Sequence, residues 1–162
     1  MDFDISHYLS ATPAEVAAAL LDEDFQNSLK DLGALADRKV LRQTEESGGR
    51  IRRETRCVLG IDMGAAGRFL GGSDPAWVED ATWHPEESRW EWVIKPEVAA
   101  DILKASGTTV IRAADEGAVR RVTGSVQVRV PLYGGRVEGW IVQGLEESYS
   151  EEADRLAKWL LQ

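Results

Sequence analysis

The sequence predicts an α+β domain in which a strongly curved antiparallel sheet of about seven strands, in the order β-α-α-β6-α, wraps around a long C-terminal helix. Three observations predict it. Runs with the alternating pattern of strands fill most of residues 38–130 and are joined by short turns, so consecutive strands pair antiparallel. Residues 136–161 contain no proline and carry one apolar stripe at helical spacing. A chain of 162 residues fits one domain, 1–162, and folding at this size hides roughly 70% of the surface that the unfolded chain exposes.

Phe3, Ile5 and His7 alternate with Asp4, Ser6 and Tyr8, the two-residue period of a first strand with one covered face. Thr12 and Glu15 have the spacing of a capping box, Pro13 suits a first helical position, and Val16, Ala17, Leu20 and Leu21 supply the stripe of a helix. Asp24 can cap a second short helix through Phe25, Leu29 and Leu32, with Gly33 as its left-handed stop. Strand runs then fall at about 38–46 and 50–60, joined by Ser47–Gly48–Gly49. Further runs at about 76–84 and 88–95 are joined by His84–Pro85–Glu86–Glu87, and those at about 103–113 and 118–130 by Ala114–Asp115–Glu116–Gly117. In the last run Val122, Gly124, Val126, Val128 and Val130 face one way while Arg121, Thr123, Ser125, Gln127 and Arg129 face the other. The terminal helix, about 39 Å long at 1.5 Å per residue, repeats Val137, Ile141, Leu145, Tyr149, Ala153, Leu156 and Leu160. It is the only element long enough to cover a coiled sheet of this size.

The formal charge of −9 would repel nucleic-acid phosphates and anionic membrane surfaces, so neither partner is expected. Cys57 is the only cysteine, which excludes an internal disulfide and a thiolate metal cluster. No stretch of about 20 apolar residues appears, and Asp2 and Asp4 replace the basic start of a signal peptide, so a cytoplasmic protein without stable membrane insertion is expected.

The opening Phe3-x-Ile5-x-His7 with Thr12-Pro13-Ala14-Glu15-Val16, and the closing Val128-Arg129-Val130-Pro131-Leu132-Tyr133-Gly134-Gly135-Arg136-Val137-Glu138, carry a resemblance. With the element order, they resemble the START-like, or helix-grip (SRPBCC), superfamily, which includes polyketide cyclases, plant pathogenesis-related allergens and lipid-transfer domains. The likeness spans nearly the whole chain, and the closing stretch is similar to the strand-to-helix turn of an uncharacterised bacterial branch, a domain of unknown function. The resemblance implies a cavity between the concave sheet and the terminal helix, lined by apolar and aromatic side chains. It carries over no fixed catalytic motif, and a fold does not by itself set an activity.

Six tryptophans are present, and Trp77, Trp83, Trp90 and Trp92 fall within two paired strands. Facing inward they would wall an aromatic pocket; the other reading is that they fill the core. The expected cavity lining is Trp77, Glu79, Trp83, Trp90 and Trp92, with Val126 and Val128 from the last strand and Ile141, Leu145 and Tyr149 from the helix. Glu79 shares the phase of Trp77 and Trp83, where desolvation would raise its pKa, unless it meets water or a buried partner such as Arg53 or Arg56. His7 on the inner face and His84 beside Pro85 lack a placed nucleophile. Residues 60–75, with Gly60, Gly64, Gly67, Gly71 and Gly72, match no phosphate-binding spacing and read as an entrance loop, with Met63, Phe69 and Leu70 as lid residues. Cys57 reads as a half-buried structural thiol. Arg50, Arg52, Arg53 and Arg56 read as a solvated face, and the acidic 146–154 segment as the wet side of the helix.

These readings predict a module that holds an apolar or amphipathic small molecule, a lipid, isoprenoid or polyketide-like compound, with no cofactor, no metal and no catalytic residue assigned. The alternatives are a protein-interaction module without a ligand, or a cyclase- or hydrolase-type enzyme using Glu79 or His7. The sequence does not fix the oligomeric state.

Overall fold

Strand β1 (Asp2–Leu9) buries Phe3, Ile5 and Leu9 and exposes Asp2, Asp4, Ser6 and Tyr8, as a two-residue period over a single core requires. In the computed structural model, which describes residues 1–33, 35–60 and 75–162, β1 is the edge of a seven-stranded sheet. The spatial order is β1-β7-β6-β5-β4-β3-β2, and every neighbouring pair is antiparallel. With a long helix against its inner face, this is the helix-grip α+β fold.

Helix α1 (Pro13–Leu21) starts at the capping box of Thr12 and Glu15, which satisfies backbone donors at both positions. Helix α2 (Glu23–Asn27) is shorter than its apolar pattern suggests. Asp22, not Asp24, caps it by accepting the amides of Asp24 and Phe25, and the Ser28 hydroxyl closes it on the Phe25 carbonyl at 2.6 Å. Leu29 and Leu32 are buried all the same, and Gly33 takes the left-handed conformation at φ 57°.

Strands β2 (Leu35–Glu45) and β3 (Ile51–Leu59) form the first hairpin around a 3₁₀ turn at Ser47–Gly49, with both glycines at φ 75°. Strands β4 (Ala76–His84) and β5 (Arg89–Pro96) form the second, and β6 (Leu103–Ala114) and β7 (Gly117–Val128) the third. The last strand stops at Val128, two residues earlier than its alternation predicts. There Val128 is still paired with Leu103 of β6, but on its other side β1 has ended, so its amide donates to the Glu138 carboxylate at 2.9 Å, and Pro131 follows.

Helix α3 (Gly134–Leu160) rests on β7, β1 and α1. Val137, Val142, Ala153 and Leu156 are buried there. Ile141, Leu145 and Tyr149, on the same stripe, are only partly buried, because the curved sheet falls away from the helix beneath them. On the sheet, Phe3 stacks on Trp92 with ring centroids 6.0 Å apart, and Trp83 packs on Trp90 at 5.5 Å.

The Trp92 indole lies over a cross-strand pair of glycines, Gly107 and Gly124. A Cβ at Gly107 would stand 2.1 Å from the Thr123 carbonyl oxygen and 2.5 Å from the Trp92 ring; at Gly124 it would stand 2.8 Å from the Phe3 ring. This glycine shelf lets two large rings lie flat on the sheet. Gly124→Ala is expected to lower stability by about 2 kcal/mol through overpacking, read as a shift in the urea midpoint at unchanged slope. An unchanged midpoint would show that the shelf is not needed.

Candidate functional site

The side chains on the inner face of β3, β4 and β5 fall into rows set by the register. Arg53, Ala81 and Trp92 lie side by side, then Thr55, Glu79 and Ile94, then Cys57, Trp77 and Pro96. Helix α3 leans toward β1 and β7, so a cavity of about 650 Å³ remains between these rows and the helix. That volume is ordinary for a small-molecule site.

The cavity is polar toward one end and apolar toward the other. Cys57, Leu59, Ala76, Trp77, Pro96, Leu103 and Ala105 line the apolar end, with Ile141 and Leu145 across from them on α3. Arg53, Arg120, Tyr149 and Glu152 line the polar end, Arg38 stands beside Cys57 on β2 with its guanidinium turned to Gln26, and Glu79 stands between. Arg53 and Cys57 are four residues apart on one strand, about 13 Å.

Arg120, on the buried phase of β7, is 1% exposed. It pairs with Glu152, donates to the Tyr149 carbonyl at 2.9 Å, and holds its guanidinium 5.5 Å from the centre of the Tyr149 ring. Arg53 is 7% exposed and lies 4.4 Å over the Trp90 ring. Through Nη1 it donates to the Leu20 carbonyl at 2.7 Å and to Gln43 at 3.4 Å. Burial lowers its pKa to about 10. Arg38 is occupied with Gln26, at 3.0 Å to the carbonyl and 2.7 Å to the side-chain oxygen. Burial raises the Glu79 carboxyl above the usual carboxylate range, against the pull of Arg38 and Arg53. Its accessible surface borders the cavity. Tyr149 is raised well above its ordinary value by the same desolvation, so its phenol is neutral.

Of the residues that the sequence points to, Trp77, Glu79, Trp90, Trp92, Ile141, Leu145 and Tyr149 border this cavity. Trp83, Val126 and Val128 do not. Trp83 sits one row beyond Arg53, paired with Ile51 and packed on Trp90 in the core. Val126 and Val128 are buried on β7, where α3 closes directly on the sheet. Met63, Phe69 and Leu70 lie outside the described residues. His7 lies outside the lining; its pKa is lowered by burial first and then by Arg120. His84 stands 3.6 Å from Glu91, away from the cavity.

The arginines of β3 divide by phase. Arg52 forms a two-point pair with Asp80, at 2.9 and 2.8 Å, and Arg56 pairs with Glu97, both on the outer face, whereas Arg53 turns inward and is not part of a solvated face. Glu152 likewise departs from the wet side of α3 to meet Arg120. Cys57 is buried, with its thiol pushed up to about 12, so it is an unreactive wall group. Sequence reasoning missed Arg38, Arg120 and Glu152. The usable signal for Arg120 is that it shares the buried phase of Val122 and Val126.

Among the described residues no cluster of three or more His, Cys, Asp or Glu side chains could hold a metal, and no helix is long and apolar enough to cross a membrane.

A family model described as a protein of unknown function, DUF2505, matches residues 4–160. No curated protein matches in sequence. Solved structures match the fold along nearly the whole chain. The protein TTHA0849 of Thermus thermophilus is 18% identical at a TM-score of 0.70, with 99% of this chain and 97% of that one covered. The ZhuI aromatase/cyclase of a Streptomyces species is 10% identical at 0.65, covering 99% and 93%. A START superfamily protein of Mycobacterium smegmatis is 11% identical at 0.64, covering 98% of each. At these identities the likeness is one of fold.

The raised pKa of Glu79 has a sign that can be measured. A carboxyl whose folded pKa exceeds its unfolded value takes up a proton on folding, so its contribution to stability falls as pH rises from the ordinary value toward the folded one. Wild type is therefore expected to lose stability relative to Glu79→Gln as pH rises above the ordinary carboxylate range, read from urea midpoints at a series of pH values. A difference independent of pH would contradict the buried, desolvated position of Glu79.

Proposed function

Since the chain belongs to the DUF2505 family of proteins of unknown function, whose model matches residues 4–160, we propose its task from the site alone: it encloses an apolar or amphipathic small molecule between the sheet and α3. The observation that carries this reading is the cavity of about 650 Å³, walled by Trp77, Trp90, Trp92, Ile94, Ile141 and Leu145. A dry core of this chain would have brought α3 down onto β3–β5; open volume beside several aromatic rings instead offers apolar area to a ligand. Lipids, isoprenoids and polyketide-like aromatics all fit that description. Residues 1–162 act as one unit in this reading, in the cytoplasm, and the charge of −9 disfavours nucleic acid as a partner.

A second reading is favoured by one observation. Glu79 is a carboxyl of raised pKa beside open volume, the setting of a general acid or base in an enzyme of the cyclase or hydrolase kind. His7, outside the lining, supports no such role. A protein-interaction module is the weaker alternative, since the sheet and helix enclose space rather than presenting a filled core.

A neutral fluorophore, N-phenyl-1-naphthylamine, tests the first reading. It is expected to bind saturably at one site with enhanced emission, and Leu145→Trp, which fills the cavity from the α3 side, is expected to weaken binding at least about tenfold while unfolding stays cooperative. Equal binding by a folded Leu145→Trp variant would place the fluorophore elsewhere and count against this cavity.

A further inference from the structure

Three side chains that line the cavity leave a buried polar atom without a partner: Arg53 at Nε, Arg120 at Nε and Trp92 at Nε1. All three are N–H donors. Leaving a buried donor unmade costs roughly 1–3 kcal/mol, so three on one wall call for an acceptor that the protein's own described residues do not supply.

The pairing of the lining cations points the same way. Three guanidinium groups, those of Arg38, Arg53 and Arg120, and three carboxylates, those of Glu79, Glu147 and the Arg120 partner Glu152, line the cavity, with Glu147 exposed, so what sets Arg53 apart is its lack of a paired carboxylate and not a surplus of charge. Arg120 is matched by Glu152, and Arg38 is held by Gln26. Among the described residues no carboxylate oxygen lies within 4.0 Å of Arg53, although it is more than nine-tenths buried. Its Nη1 is used by Leu20 and Gln43, and Trp92, its neighbour but one across the sheet, presents Nε1 from the same row. A cation buried in this way is stable only with a counter-charge or a set of strong acceptors.

Resting on the reading of this cavity as a ligand site, we propose that its ligand is an amphipathic molecule with one carboxylate or an equivalent single oxyanion, bound with that group against Arg53 and Trp92 Nε1. The apolar body then runs toward Trp77, Pro96 and Leu145, down the length over which the wall turns from polar to apolar. The oxyanion accepts from the unmet Nε of Arg53 and Nε1 of Trp92 and gives the Arg53 guanidinium the counter-charge it lacks. A hydrocarbon ligand would satisfy neither, and the hydroxyl of a neutral sterol-like ligand would accept a hydrogen bond but supply no counter-charge.

Displacement of N-phenyl-1-naphthylamine by two competitors of equal chain length, dodecanoate and 1-dodecanol, tests this. The wild-type protein is expected to prefer dodecanoate at least about tenfold, the worth of one charge-assisted hydrogen bond. In Arg53→Met that preference is expected to collapse to within a few fold; a folded Arg53→Met that keeps it would overturn the assignment. Should Arg53→Met not fold, Trp92→Phe, which deletes only the Nε1 donor and a small part of the ring, decides, with a smaller but measurable loss of preference expected. If the fluorophore binds wild type and the acid and alcohol displace it equally, the oxyanion inference fails and the apolar cavity stands. If wild type takes up neither fluorophore nor competitor, the cavity reading falls and the inference with it.

Discussion

The one-sided seating of α3 is the constraint on which the rest of the structure depends. The helix is held at points along its length by polar contacts that join distant parts of the chain. Near its start, Glu138 accepts the Val128 amide and the terminal ammonium of Met1. Past its middle, Glu152 and the Tyr149 carbonyl receive Arg120. Further on, Arg155 reaches the Ser28 carbonyl at 3.2 Å and Asp31 at 2.9 Å. These partners lie at the start of β1, on β7 or just after α2. None of them lies on β4, β5 or β6. The helix therefore closes over one side of the sheet, and curvature carries the other strands away from it.

From that geometry the character of the cavity follows by parity. A strand that turns Cys57 inward must also turn Arg53 and Thr55 inward, and one that turns Trp77 inward must do the same with Glu79. Polar groups on the inner phase are costly in a closed core, and replacing them with apolar residues of similar volume is often neutral or stabilising. Their retention beside open volume, with donors left unmet, gives the polar end a role that packing does not require. The outer phase of the same strands behaves as an ordinary wet face, where Asp80, pulled down to about 2 first by Arg52, also receives Lys95.

The fold was largely legible because its signals are local: a capping box at Thr12 and Glu15, turn residues between paired runs, and a proline-free terminal stripe. The boundaries that shifted did so for tertiary or capping reasons, as where the Val128 amide, beyond the start of β1, meets Glu138 in place of a strand. The site was legible only in part. Period two placed Trp77, Glu79, Trp90 and Trp92 together on one face, but it could not say which inward residues meet helix and which meet space. Trp83 and Val126 share a phase with cavity residues and are nevertheless core, because the row and the lean of α3 decide that. Arg120 escapes notice in the sequence, and Arg53 reads there both as part of a solvated face and as a possible buried partner of Glu79, for a related reason. A cluster of charge in sequence suggests solvent, and only phase, read residue by residue against Cys57 or Val122, separates Arg53 and Arg120 from Arg52 and Arg121.

The central claim is that one amphipathic molecule lies between α3 and the sheet, with its polar group at Arg53. A crystal grown with 12-bromododecanoic acid tests it most directly, because the bromine marks the far end of the chain by anomalous scattering. One bromine site is expected at the apolar end, near Trp77 and Ile141, with carboxylate density against the Arg53 guanidinium. Bromine found only on the protein surface, or a bound chain with its carboxylate turned away from Arg53, would contradict the claim.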